Sequence, residues 1–139
     1  MNVDSIKNGV VIDHIKAGQA MKLYHLLELD TLECPVAIIK NVSSKRMGKK
    51  DIIKIDTKLE LDLDIIGYVD PSITVNVIEN GELVEKKRIQ LPEVLRDVIK
   101  CKNPRCITSV EAVPQIFELR DAETRLYRCR YCEAKAPEN

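Results

Sequence analysis

Ile73-Thr-Val-Asn-Val-Ile-Glu-Asn-Gly-Glu-Leu-Val-Glu-Lys-Lys-Arg-Ile89 is the stretch that decides the fold. Ile73 to Ile78 is rich in β-branched residues and reads as a strand, and a second strand follows from Glu82 to about Ile89. Between them stands Asn80-Gly81, two residues that tolerate positive φ and so give the strongest short-range hairpin signal. Asp70-Pro71 breaks the chain just ahead of this unit. Working outward toward the N-terminus, Val10 to Ile15 predicts a strand. Ala17 to Leu29 predicts a helix, with Ala20, Leu23, Leu26 and Leu27 on one stripe. Pro35 to Val42 and Asp51 to Asp56 predict two more strands around a polar, basic loop over residues 43–49, and residues 59–69 predict a short helix or turn.

Strand, helix, strand, strand, helix, strand, strand is the order of an α+β ferredoxin-like sandwich with an extra strand. Gln90-Leu-Pro-Glu93 interrupts regular pairing, which divides the chain into domains of residues 1–92 and 93–139. The second is too short to bury much core by itself. It carries Cys101-Lys-Asn-Pro-Arg-Cys106 and Cys129-Arg-Tyr-Cys132, two sulfur pairs separated by 22 residues. That spacing predicts a tetrathiolate site for one Zn²⁺ in a small, all-β, zinc-ribbon-like domain. Four protein ligands leave no open position for water or substrate, so the expected metal is structural.

Twenty-two basic residues balance 22 acidic ones and the pI is about 6.7, so no net field favours nucleic acid or a membrane. From Lys100 to Asn139 there are eight basic and six acidic residues, and four thiolates with one Zn²⁺ bring the loaded module near neutrality. The start of the chain has no apolar stretch behind basic residues, and no apolar run nears the roughly 20 residues of a membrane span. A cytoplasmic location is therefore expected. In a reducing compartment the fifth cysteine, Cys34, is expected to be an inert, partly buried thiol.

Asp13-His14 invites a proton-transfer reading, but neighbours on a regular strand point to opposite faces, so Asp13 could not orient the His14 ring. Lys54, set between Ile53 and Ile55 on a strand, either reaches solvent or meets an anion. Lys86, Lys87 and Arg88 on the hairpin add cations near Asn76, whose amide can read a base or ribose edge. These residues by themselves indicate anion binding. An alternative reading is a zinc-ribbon nucleic-acid-binding protein with an N-terminal interaction domain, which salt-sensitive binding to DNA or RNA would support.

Ile6-Lys-Asn-Gly-Val-Val-Ile-Asp-His-Ile15, Met47-Gly-Lys-Lys-Asp-Ile-Ile-Lys-Ile55, Thr74-Val-Asn-Val-Ile78 and the two cysteine pairs, in this order, resemble the aspartate carbamoyltransferase regulatory chains from end to end. The resemblance implies a non-catalytic subunit of pyrimidine biosynthesis with an N-terminal allosteric domain that binds ATP, CTP or UTP. It implies a zinc domain that docks on the catalytic chain, a second regulatory chain as dimer partner, and a dodecamer of six catalytic and six regulatory chains. By position it assigns Asp13, His14, Lys54, Asn76 and Lys86 to the nucleotide's polar contacts and Val3, Asp4, Ser5, Ile6, Ile52, Gly81 and Leu83 to the lining. Asn103, Arg105, Arg130 and Glu133, beside the thiolates, are the expected contacts to the catalytic chain.

Overall fold

The computed structural model describes residues 6–137. The chain divides into two compact units, Met1–Gln90 and Leu91–Asn139. In the first, β1 (Gly9–Lys16), α1 (Ala20–Leu26), β2 (Val36–Ser44), β3 (Gly48–Ile55), α2 (Leu63–Val69), β4 (Thr74–Glu79) and β5 (Glu82–Lys87) follow in chain order, and the five strands form one antiparallel sheet in the order β2-β3-β1-β4-β5. The first four strands form the ferredoxin-like arrangement expected from their order. The extra strand, β5, hangs from β4 through Asn80 and Gly81, at φ 52° and 78°, the positive values that such a tight turn requires.

Alternation along the strands sorts the sheet into two faces. On β3, Asp51, Ile53 and Ile55 are buried while Ile52 and Lys54 between them are only partly covered. Ile53 and Ile55 pack with Val10, Ile12 and Ile15 of β1, Val75 of β4, Ala20 and Leu23 of α1 and Ile66 of α2, forming the core beneath the helices. Each of these Val, Leu and Ile side chains contributes about 1.5–3 kcal/mol on leaving water. Alternate residues of the same strands, among them Val11, Asp13, Ile52, Lys54, Asn76 and Ile78, belong to the other face.

Local chemistry sets the helix ends. Asp62 caps α2 by accepting the N–H groups of Asp64 and Ile65. The first helix is shorter than the expected 17–29. Gly18 is still turning at φ 95°, and Glu28 at φ 55° reverses the chain into a 3₁₀ turn at Leu29–Thr31.

The second unit carries β6 (Val94–Arg96), β7 (Ile116–Asp121) and β8 (Leu126–Cys129), an antiparallel sheet in chain order. Leu95, Ile116, Phe117 and Tyr127 are its large buried side chains, and the Tyr127 hydroxyl donates to the Pro92 carbonyl. So few apolar groups make a small core, which fits stabilisation by a metal. Among the described residues no helix is long and apolar enough to cross a membrane.

Candidate metal centre and ligand pocket

Cys101 and Cys106 lie in the loop after β6, Cys129 ends β8, and Cys132 lies in the turn beyond it. Their four sulfurs lie within 4.8 Å of one another, with Cys101–Cys132 at 3.5 Å and Cys106–Cys129 at 3.7 Å. A tetrahedron with Zn–S bonds of about 2.3 Å has edges of about 3.8 Å, so the cluster can hold this ion. Backbone hydrogen bonds fold the two loops: Cys106 N–H donates to the Asn103 carbonyl at 3.0 Å, and Glu133 N–H donates to the Cys129 carbonyl at 2.9 Å. Glu133 itself stands at φ 66°. Cys101, Cys106 and Cys129 are buried, and Cys132 is partly exposed.

Without a cation the four sulfurs could not all ionise. Burial pushes the Cys101 thiol up to about 12, with neighbouring Cys132 and Cys129 adding to the shift. Cys129 is raised too, chiefly by burial. Cys106 is lowered, first by the Thr108 hydroxyl. At Cys132 burial opposes ionisation, yet the Ala134 amide, Asn103 and the nearby thiols bring it to about 7. A divalent cation at the centre would remove this conflict by balancing thiolate charge, which is why such a donor set fits Zn²⁺.

The uncovered face of the first sheet holds a cavity of about 420 Å³, lined by Ile6, Val11, Asp13, Ile52, Lys54, Asn76, Ile78, Gly81 and Leu83. Val11, Ile52, Ile78 and Leu83 make it apolar, Lys54 brings a cation, and the Asn76 Oδ1 is buried with no hydrogen-bond partner among the described residues. Asp13 sits at one end, 2.9 Å from Lys50 Nζ. Burial works against its charge, but the Lys50 ammonium and the His14 amide outweigh that and hold the carboxyl below the usual 3.8.

Two models, those of the aspartate carbamoyltransferase regulatory chain's allosteric domain and of its metal binding domain, match residues 1–90 and 93–139. The chain belongs to the aspartate carbamoyltransferase regulatory chain family. It is 49% identical over 134 residues to such a chain from Clostridium botulinum, covering 96% of this chain and 92% of that one. The regulatory chain of Clostridium acetobutylicum is 48% identical over 134 residues, 96% of this chain and 92% of that one. That of Bifidobacterium longum is 45% identical over 137 residues, 98% and 99% of the two chains. Members of this family are named as regulatory chains, so the chain is a non-catalytic subunit of that enzyme.

Within this regulatory chain, Ile6, Asp13, Ile52, Lys54, Asn76, Gly81 and Leu83 meet in one cavity. Val3, Asp4 and Ser5 lie outside the described residues. Lys86 pairs with Asn76 across β4 and β5 but is not among the cavity residues. His14 is also absent from the lining. The register of β1 against β3 slips between Ile12 and Ile15, and His14 stands at φ 60° with its Nδ1 2.9 Å from Thr74 Oγ1. A bulge thus replaces the regular pleat assumed at Asp13-His14, but the consequence for catalysis is the same. Asp13 accepts the His14 backbone N–H, not its ring. Sequence reasoning missed Val11 and Ile78, although each stands two residues from a chosen neighbour, Asp13 or Asn76, and so shares its face.

Around the metal, Asn103 Oδ1 accepts the Arg105 amide at 3.0 Å. Arg130 binds Glu118 at 3.0 Å, and Glu133 binds Arg120 at 2.9 Å. The side chains of three of the four expected docking residues, Asn103, Arg130 and Glu133, are therefore engaged with neighbours in their own unit, and Arg105 is engaged through its amide.

Proposed function

We propose that the chain is a nucleotide-responsive regulatory subunit that takes ATP, CTP or UTP in the open-face cavity and passes the effect to catalytic trimers through its zinc domain. Asp13, His14, Lys54, Asn76 and Lys86 would supply polar contacts, with Val3, Asp4, Ser5, Ile6, Ile52, Gly81 and Leu83 as lining. In this reading the chains pair as regulatory dimers within a cytoplasmic dodecamer of six catalytic and six regulatory chains. The first unit is the allosteric domain and the second docks on the catalytic chain, with Asn103, Arg105, Arg130 and Glu133 at the contact.

The supporting observation is the buried Asn76 Oδ1, without a hydrogen-bond partner among the described residues, in the same cavity as Lys54, on an apolar floor left open by both helices. Leaving such an acceptor unmet costs about 1–3 kcal/mol, which a ligand hydroxyl or amine would recover. The lysine complements phosphate charge and the apolar floor complements a base. Zn²⁺, held by Cys101, Cys106, Cys129 and Cys132, supplies no chemistry beyond charge balance and cross-linking of two loops. Because the triphosphates are alike, ATP and CTP are distinguished only through the base. The bound nucleotide moves the assembly's equilibrium by its difference in affinity for two states, about 1–3 kcal/mol.

Lys54→Ala tests the pocket. Calorimetric titration with ATP and CTP should show at least tenfold weaker binding, while sedimentation with the catalytic chain stays unchanged. Parent-like affinity in this variant would place the nucleotide site elsewhere.

A further inference from the structure

Thr108 lies in the single 3₁₀ turn, Ile107–Ser109, that leaves the first cysteine loop. Its Oγ1 donates to the Cys106 Sγ at 3.2 Å, while the Ser109 amide donates to the Cys106 carbonyl at 2.9 Å and the Ser109 hydroxyl to the Asn103 carbonyl at 2.9 Å. The turn is thus tied at three points to the loop that carries Cys106, and it has little freedom to carry the hydroxyl away. Cys106 is only 1% exposed, so no solvent molecule can replace the donor readily. A sulfur held by a fixed hydrogen-bond donor keeps its orientation toward a metal, and outer-shell partners of this kind strengthen metal retention.

From this geometry we propose that Thr108 is a positioning residue for the metal centre, its hydroxyl fixing the direction of the Cys106 sulfur and slowing loss of Zn²⁺ from the chain. It does not ligate the metal. Its role is to make Cys106 the anchored sulfur, in contrast to Cys132, which is partly exposed. The order of attack follows: a thiol reagent meets Cys132 first, and release is completed when Cys106 gives way.

Thr108→Val keeps the shape of the side chain and removes the donor, whereas Thr108→Ser keeps the donor. The full-length, zinc-loaded chain is mixed with excess chromogenic chelator at fixed pH, and the rate of Zn²⁺ transfer is followed. Release from the Val variant is expected to be about tenfold faster, the low end of what outer-shell donors contribute, with the Ser variant close to the parent. A second readout is the thiolate-to-metal charge-transfer band of the Co²⁺-substituted chain, which should move to lower energy in the Val variant only. Equal release rates and bands in parent and Val variant would overturn the proposal. So would matching acceleration in the Ser variant, since that would trace the effect to the lost methyl group and not to the hydrogen bond.

Discussion

Asp51 is fully buried, and its two carboxylate oxygens accept the N–H groups of Gly18, Ala20 and Asn41 at 3.0, 3.3 and 3.0 Å. One side chain thereby fastens the start of α1 and the β2 irregularity to β3. Asp51→Ala would leave these donors unmet, and a loss of at least about 3 kcal/mol is expected in urea denaturation. Nothing in Lys49-Lys50-Asp51-Ile52 announces this role, because the three donors come from distant parts of the chain. Lys54 and Asn76 were legible, since a polar residue inside an apolar strand has few explanations. Asp13 gives a pH prediction. Its folded pKa lies below the ordinary 3.8, so its contribution to stability is complete above that value and disappears as pH falls through the folded pKa. Acid titrations of stability should therefore be shallower below about pH 4 for Asp13→Asn than for the parent.

At the scale of elements, hairpin and strand identities followed from β-branched runs and turn residues, but irregularities did not. Both neighbours of β3 slip register near its middle, β1 between Ile12 and Ile15 and β2 between Ile39 and Val42, with His14 and Asn41 each at φ 60°. Such bulges arise from how three strands fit together, which one strand's alternation does not encode. Gly9 is a similar case. A Cβ there would stand 2.2 Å from the Ile55 carbonyl oxygen and 2.8 Å from Ile6 Cγ2, so the glycine lets β1 and β3 approach. Gly9→Ala should lower stability by about 1–3 kcal/mol through overpacking, measured by thermal unfolding. The hairpin tip differs. Space around Gly81 is open, and only its φ of 78° resists substitution, so Gly81→Ala should cost about 1–2 kcal/mol through backbone strain alone.

For the whole molecule, the two units rest on different forces. Residues 1–90 have an extended apolar core, whereas residues 91–139 gather a few large side chains around four sulfurs. Stripping the metal with a thiol-reactive mercurial should therefore remove hydrogen-exchange protection from the second unit and leave the first protected. In the proposed complex it should also release the chain from the catalytic subunit, visible as separate sedimenting species; an intact complex after full metal loss would refute docking through this unit. The cysteine pairs made the second unit readable from spacing alone. Its hydroxyl donor and paired arginines were not legible there, because each joins residues that spacing does not relate. The division of the first sheet into faces has a consequence for how such chains diversify. Val10, Ile12, Ile53, Ile55 and Val75 maintain the core, while Val11, Asp13, Ile52, Lys54, Asn76 and Ile78 line the cavity from intervening positions. If the cavity takes the proposed nucleotide, substitutions that retune ligand preference can accumulate on one face at little expense to folding, so a lineage could exchange one effector for another without first acquiring a more stable scaffold.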